Sequence, residues 1–310
     1  MKSKPLQRLI ILGSAIILTP VCPAASMFTG IHVFGDSLSD TGNLSLATGG
    51  TNPGADYSDG KFSNGRIWVE HLATDYLGLA APIPDSLPGG TNHAWAGALS
   101  SGGASFPPGA LEQINGFIGG GGTFSSTDLV TLWAGANDFL GGGTDPFDPV
   151  NNLVASIQAL AAAGVVTILV PNMPDLSDTP QISSQNIQAV SDGAQALSAG
   201  FNALLAGQLA DQRDLLGINL ISLDVFSLGK EIIADPAAFG LVNTSDAALL
   251  TGNILNANDY IYWDNIHPTE AMHAIIAERG ARALGVPEPS AAMFLAIGVF
   301  GIVLRRRRGR

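Results

Sequence analysis

The chain is 310 residues long and 46% hydrophobic, enough apolar material to bury a sizeable core and to exclude disorder as its main state. Its formal net charge of −12 disfavours nucleic acid and anionic bilayer surfaces as partners. Cys22 is the single cysteine, which excludes an intrachain disulfide and leaves stability to packing.

The first segment, MKSKPLQRLIILGSAIILTPVCPAA, carries Lys2, Lys4 and Arg8, then an apolar run, then small residues ahead of Ser26. That order predicts a secretory signal peptide over residues 1–25, cleaved near Ala24 or Ala25. A lipoprotein signal using Cys22 is the competing reading, and Pro20 and Val21 fit it poorly where small residues are expected.

IHVF (31–34) reads as a buried strand and runs directly into FGDSLSDTGN (34–43). Gly, Asp, Ser and Asn build turns through unusual backbone angles and local hydrogen bonds, so composition alone makes this a turn. A strand end is also where a serine can face substrate while its own N–H faces an oxyanion, and Ser37 is the candidate nucleophile. The Gly-x-Ser-x-Gly elbow of the α/β-hydrolases is not present, since Ser39 stands at its last position.

Residues 44–64 are rich in Gly, Ser and Pro and read as a loop, followed by a helix expected over about 66–77. NHAWAGA (92–98) offers Gly97, whose missing side chain lets its N–H approach a ligand closely. A glycine between alanines is equally ordinary packing. His93 stands beside it and could line a pocket. Residues 100–123 again read as loop, and this loop and the one at 44–64 are expected to wall a cleft at the carboxyl ends of the strands. The glycine runs at 119–122 and 141–143 lack the Gly-Lys-Ser/Thr of a nucleotide loop.

LVTLWAG (129–135) is the next buried strand. It ends in WAGAND (133–138), where the Asn137 amide could point at the carboxyl end of the sheet, although Asn-Asp after a strand is also a common turn. A helix over 149–163, a strand over 165–170, a helix over 184–212 and a strand over 218–223 follow. YIYW then reads as a short strand before DNIHP, in which Asp264 precedes His267 by three residues. In a tight turn such a carboxylate can fix the imidazole tautomer and leave the other nitrogen to take a serine proton. Pro268 opens the last helix, over 269–284.

Of the other histidines, His32 in a strand and His71 on a helix read as structural, and His273 as a packing residue. A metal site from His267, Glu270 and His273 competes with the Asp-His reading, but no further Cys or His clusters nearby to complete it. No metal or organic cofactor is implied.

The chain closes on VPEPSAAMFLAIGVFGIVLRRRRGR. A Pro-Glu-Pro triplet, an apolar stretch on the short side for a bilayer span and an arginine tail kept on the cytoplasmic side follow one another. This order resembles the PEP-CTERM sorting signal of Gram-negative bacteria, assigned to residues 286–310. The resemblance implies recognition and removal by an exosortase, transient anchoring by the C-terminal helix, and a final place on the outer surface or in the extracellular matrix. With both ends set aside, six basic residues face 25 acidic ones, a net charge of about −19.

Alternating apolar strands and helices predict one domain over 26–285, a three-layer α/β/α sandwich on a central parallel sheet. Gly-Asp-Ser-Leu near the start, a Gly97 block, Gly-x-Asn-Asp and Asp-x-x-His near the end together resemble the SGNH, or GDSL, hydrolase family over about residues 31–280. GDSLSDTGN and FSNGRIWVEHLA (62–73) look most like its secreted lipase, lecithinase and hemolysin-like branch. The resemblance implies a flavodoxin-like fold, a catalytic triad of Ser37, Asp264 and His267, and an oxyanion hole from Ser37, Gly97 and Asn137. Ala96 stands where the family's second block has another glycine. The expected activity is hydrolysis of lipid or small carboxylic esters through an acyl-enzyme, with a carbohydrate O-acetylesterase or O-acyltransferase acting on extracellular polysaccharide as the alternative, and a non-catalytic matrix protein as a third.

Overall fold

In the computed structural model residues 27–102 and 106–286 are described. The expected signal peptide over 1–25, with Cys22, and the sorting segment beyond Val286 lie outside the described residues. In chain order the elements are β1 (Gly30–Gly35), α1 (Asn43–Ala47), α2 (Trp68–His71), α3 (Ala110–Gly119), β2 (Asp128–Trp133), α4 (Ala136–Leu140) and α5 (Phe147–Ala162). They continue with β3 (Thr167–Pro171), α6 (Pro180–Ser183), α7 (Gln188–Leu216), β4 (Asn219–Leu223), α8 (Val225–Ala234), β5 (Asn243–Ala247), β6 (Tyr260–Tyr262) and α9 (Glu270–Ala283).

Strands β1 to β4 form a parallel sheet in that spatial order. Outside β1 an extended segment adds a further parallel line of hydrogen bonds, Val33 N–H to Thr91 O, His93 N–H to Val33 O and Trp95 N–H to Gly35 O, at 2.9, 2.8 and 3.1 Å. The sheet is apolar on both faces because successive side chains alternate between two cores. Ile31, Val33, Leu129, Trp133, Leu169 and Leu223 pack against α2, α8 and α9. Phe34, Val130, Leu132, Ile168, Val170 and Leu220 pack against α3, α5 and α7. The result is the three-layer α/β/α sandwich. Among the described residues no helix is long and apolar enough to cross a membrane.

Several boundaries differ from the sequence reading. The segment at 100–123, read as loop, contains α3, which buries Ala110, Gln113 and Ile114 at helical spacing; the surrounding glycines mask that stripe. The helix expected over 184–212 starts at Gln188, after α6 and a turn in which Asn186 takes a φ of 53°. The helix expected over 66–77 is α2 followed by a wide turn over Leu72–Tyr76. Thr269, rather than Pro268, caps α9, its hydroxyl accepting from Met272 N–H.

The topology puts the ends of β1, β2, β3 and β4 on one edge. At that edge open parallel sheets bind ligands.

Candidate active site

Ser37 follows β1 within two residues and is 8% exposed. Gly35 can hold this position because a Cβ there would lie 2.3 Å from Trp133 O. Gln113 on α3 secures the same residue: its Oε1 accepts Gly35 N–H at 3.0 Å and its Nε2 donates to Gly35 O at 2.9 Å. The turn itself is tied by Asp40. Its Oδ1 accepts the N–H groups of Gly42 and Asn43 at 2.7 and 2.6 Å, and its Oδ2 accepts those of Leu44 and Ala96 at 3.2 and 2.8 Å. Asn43 donates to Asn92 O and Ala94 O, both at 2.8 Å, and Asn92 returns a bond to Ser39 O at 2.7 Å. Asp40, Asn43 and the Ser39 carbonyl thus join the turn to the segment carrying Gly97.

His267 Nε2 lies 2.8 Å from Ser37 Oγ, and His267 Nδ1 lies 2.7 Å from Asp264 Oδ2. Asp264 Oδ1 accepts the N–H groups of Ile266 and His267 at 2.9 and 2.8 Å, so the turn closes on its own carboxylate. Burial alone would raise the Asp264 carboxyl, but the hydrogen bond and charge of His267 and those two N–H groups outweigh it and hold it at about 2. An ionised Asp264 accepts only, so His267 Nδ1 donates to it and Nε2 is the ring nitrogen that faces the Ser37 hydroxyl.

The other two candidates sit beside this trio. Gly97 has a φ of +81°, a conformation glycine tolerates and L side chains rarely adopt, and it is exposed. Among the described residues the N–H groups of Ser37 and Gly97 have no hydrogen-bond acceptor. Asn137, near the start of α4, donates through Nδ2 to Ala98 O at 2.9 Å, which docks the end of β2 onto the Gly97 segment. Asp138 is turned away to Ser100, accepting its N–H and hydroxyl at 2.9 and 2.8 Å.

The model of the family described as GDSL-like Lipase/Acylhydrolase matches residues 31–279. This chain belongs to that family. It is accordingly a carboxylic ester hydrolase of the GDSL type. A PEP-CTERM protein-sorting motif matches residues 285–308, marking the chain for export and sorting in Gram-negative bacteria with exosortase processing.

Two relatives are similar over most of this GDSL hydrolase. A phosphatidylcholine-sterol acyltransferase of Aeromonas hydrophila is 27% identical, the match covering 87% of this chain and 94% of that protein. A thermolabile hemolysin of Vibrio parahaemolyticus is 26% identical over 80% of this chain and 62% of its own length. Among solved structures, a lipolytic G-D-S-L family protein of Veillonella parvula aligns with a TM-score of 0.46 at 16% identity, covering 82% of this chain and 96% of that one.

A cleft opens beside the GDSL serine, with a water-accessible volume of about 80 Å³. It reaches from Ser37, Asn137 and His267 to α8 and α9. The glycine-rich loops at 44–64 and 100–123, expected to wall it, contribute none of its lining residues; the segments after β2, β3 and β4 do so instead. Gly97 is also outside that lining. His93 lines a separate hollow with Asp85 and Phe117, its Nδ1 3.2 Å from Asp85 Oδ2.

Sequence reasoning passed over Tyr57. Its hydroxyl donates to Asp264 Oδ2 at 2.7 Å, while Phe62 from the same loop lies against the His267 ring at 4.9 Å. His273 is fully buried and burial, reinforced by the neighbouring His71, His267 and Lys61, pushes it down to about 3, so it stays neutral. Among the described residues no group of three His, Cys, Asp or Glu side chains is placed to hold a metal.

Proposed function

We propose that this GDSL hydrolase cleaves carboxylic esters through Ser37, with His267 as general base and acid and Asp264 as its orienting carboxylate. The observation that carries the reading is the single imidazole bridging Ser37 Oγ at 2.8 Å and Asp264 Oδ2 at 2.7 Å. His267 Nε2 takes the hydroxyl proton as Oγ bonds to the ester carbonyl carbon. The tetrahedral oxyanion is received by the N–H groups of Ser37 and Gly97 and the Asn137 amide, donors worth about 10²- to 10³-fold each. Collapse breaks the ester C–O bond, and His267 gives its proton to the departing alkoxide. Water then attacks the acyl-enzyme, passing a proton to His267, and Ser37 leaves with that proton restored.

The Aeromonas relative is named an acyltransferase, which supports a second reading in which an alcohol replaces water in the last step. The two share nucleophile and base and differ only in the acceptor. The PEP-CTERM motif supports a reading in which the reaction takes place on the outer surface or in extracellular polymer, after removal of the C-terminal segment.

Ser37→Ala and His267→Ala are the tests, assayed on short-chain p-nitrophenyl esters with fluorophosphonate labelling of the wild type. Loss of turnover in both and labelling at Ser37 are expected. Full activity in either variant overturns the assignment. Product analysis with added alcohol separates hydrolysis from transfer.

A further inference from the structure

We propose that Gln113 is a positioning residue for catalysis, its carboxamide registering the strand end that presents Ser37 against the segment that presents Gly97. This rests on Ser37 as nucleophile and Gly97 as an oxyanion donor, and it names the side chain that sets one relative to the other.

Gln113 lies in the first turns of α3 and is 6% exposed. Every hydrogen-bonding group of its amide is used. Oε1 accepts Gly35 N–H at 3.0 Å, and Nε2 donates to Gly35 O and Pro108 O, both at 2.9 Å. Gly35 thus takes an acceptor and a donor from one side chain, and Pro108 takes a second donor from it. A carboxamide has one acceptor and two N–H donors in a fixed plane; an ionised carboxylate has no donor and a protonated one has a single O–H. Gly35 stands two residues before Ser37, so the amide pins the strand end that carries the hydroxyl.

The start of α3 also carries the Gly97 segment. Its first N–H groups have no partner within the helix, and those of Ala110 and Leu111 donate to Leu99 O and Ser100 O at 2.8 and 3.3 Å. Asn137 and Asp138 hold Ala98 and Ser100 of the same segment. The Pro107 ring lies over Gly97, 3.6 Å from where a Cβ would stand. Pro108, whose carbonyl Gln113 holds, is the next residue. Each proline ring fixes φ, so the link from the amide to Gly97 is stiff.

Gly97 is therefore clamped on both sides. Before it, Asp40 of the Ser37 turn holds Ala96 N–H at 2.8 Å. After it, Gln113 and the start of α3 bind the segment back to Gly35. Oxyanion donors act within about 2.7–3.1 Å of the developing charge, and a misplacement of about 1 Å can cost about 10²-fold. Releasing the second clamp moves Gly97 relative to Ser37, which the transition state senses and ground-state binding does not.

The test compares wild type, Gln113→Glu and Gln113→Met on a short p-nitrophenyl ester, with thermal unfolding to set an assay temperature at which each variant is folded. Both substitutions keep the length of the side chain; glutamate loses at least one of the two donors and methionine loses every bond. A fall in kcat of about 10- to 100-fold with KM within about twofold of wild type is expected. The second readout is the inhibition constant of a short alkyl trifluoromethyl ketone, whose carbonyl carbon takes Ser37 Oγ while the hydroxyl proton passes to His267. Its adduct carries the oxyanion, so the inhibition constant is expected to rise by the same factor as kcat/KM falls. Lower thermal stability with kcat and the inhibition constant unchanged makes Gln113 a structural residue and overturns the proposal, as does a rise in KM at constant kcat. Failure of both variants to fold overturns it too. These outcomes leave the serine mechanism standing, whereas a wild type inactive on every ester with Ser37 unlabelled overturns mechanism and proposal together.

Discussion

Tyr57 and Asp264, 207 positions apart, are joined by a 2.7 Å hydrogen bond onto the carboxylate oxygen that also receives His267 Nδ1. With Ile266 and His267 N–H on the other oxygen, one carboxylate accepts four donors. Tyr57→Phe removes one donor and keeps the ring against Phe62 and Trp263. The carboxylate that faces His267 is then held by three donors instead of four, and kcat/KM on a short ester is expected to fall about tenfold, in keeping with the strength of a hydrogen bond to a charged group. Turnover equal to wild type would show that this bond plays no part in positioning His267.

Asp36 is 2% exposed, and burial pushes its carboxyl up to about 7, against the hydrogen bond from Leu38 N–H and the charge of His267. A raised carboxyl holds its proton in the folded state after the unfolded chain has released it. The folded state therefore loses stability as pH rises from about 4 through 7. Asp36→Asn keeps an acceptor for Leu38 N–H and has no charge to bury. Thermal unfolding should find the two proteins similar at pH 4 and the variant several degrees more stable at pH 8.

Asp40→Ala leaves four backbone N–H groups without their acceptor, three in the turn after Ser37 and one at Ala96. Unsatisfied buried groups cost about 1–3 kcal/mol each where the chain cannot relax, and a loss of about 3 kcal/mol or more in urea unfolding is expected. Turnover should fall as well, because the same carboxylate fixes the Ser37 turn relative to the Gly97 segment. Stability within 1 kcal/mol of wild type, about the scale of an ordinary surface change, would contradict this account.

Asn137→Ala removes a proposed oxyanion donor and the bond to Ala98 O. Steady-state kinetics on a short ester should show kcat reduced by about 10²- to 10³-fold with KM little changed. A rise in KM at constant kcat would instead place the amide in ground-state binding.

The sheet was legible because each strand is apolar at consecutive positions, as burial on two faces requires. Asp264 and His267 were legible as a pair because only two residues of turn separate them. Gln113 was hidden: its role depends on Gly35, 78 positions away, and its helix is flanked by glycines that gave the whole segment a loop's composition. Tyr57 was hidden for the same reason, being one aromatic residue in a glycine-rich loop whose partner lies near the other end of the chain.

The contact between Ser37 and His267 spans 230 positions, which gives the chemistry an order in time. Synthesis delivers the hydroxyl with the first strand and its base only with the turn before the last helix. On the proposed mechanism a truncated or half-translocated chain is inert, so no ester is cleaved by a copy that has not finished crossing and folding.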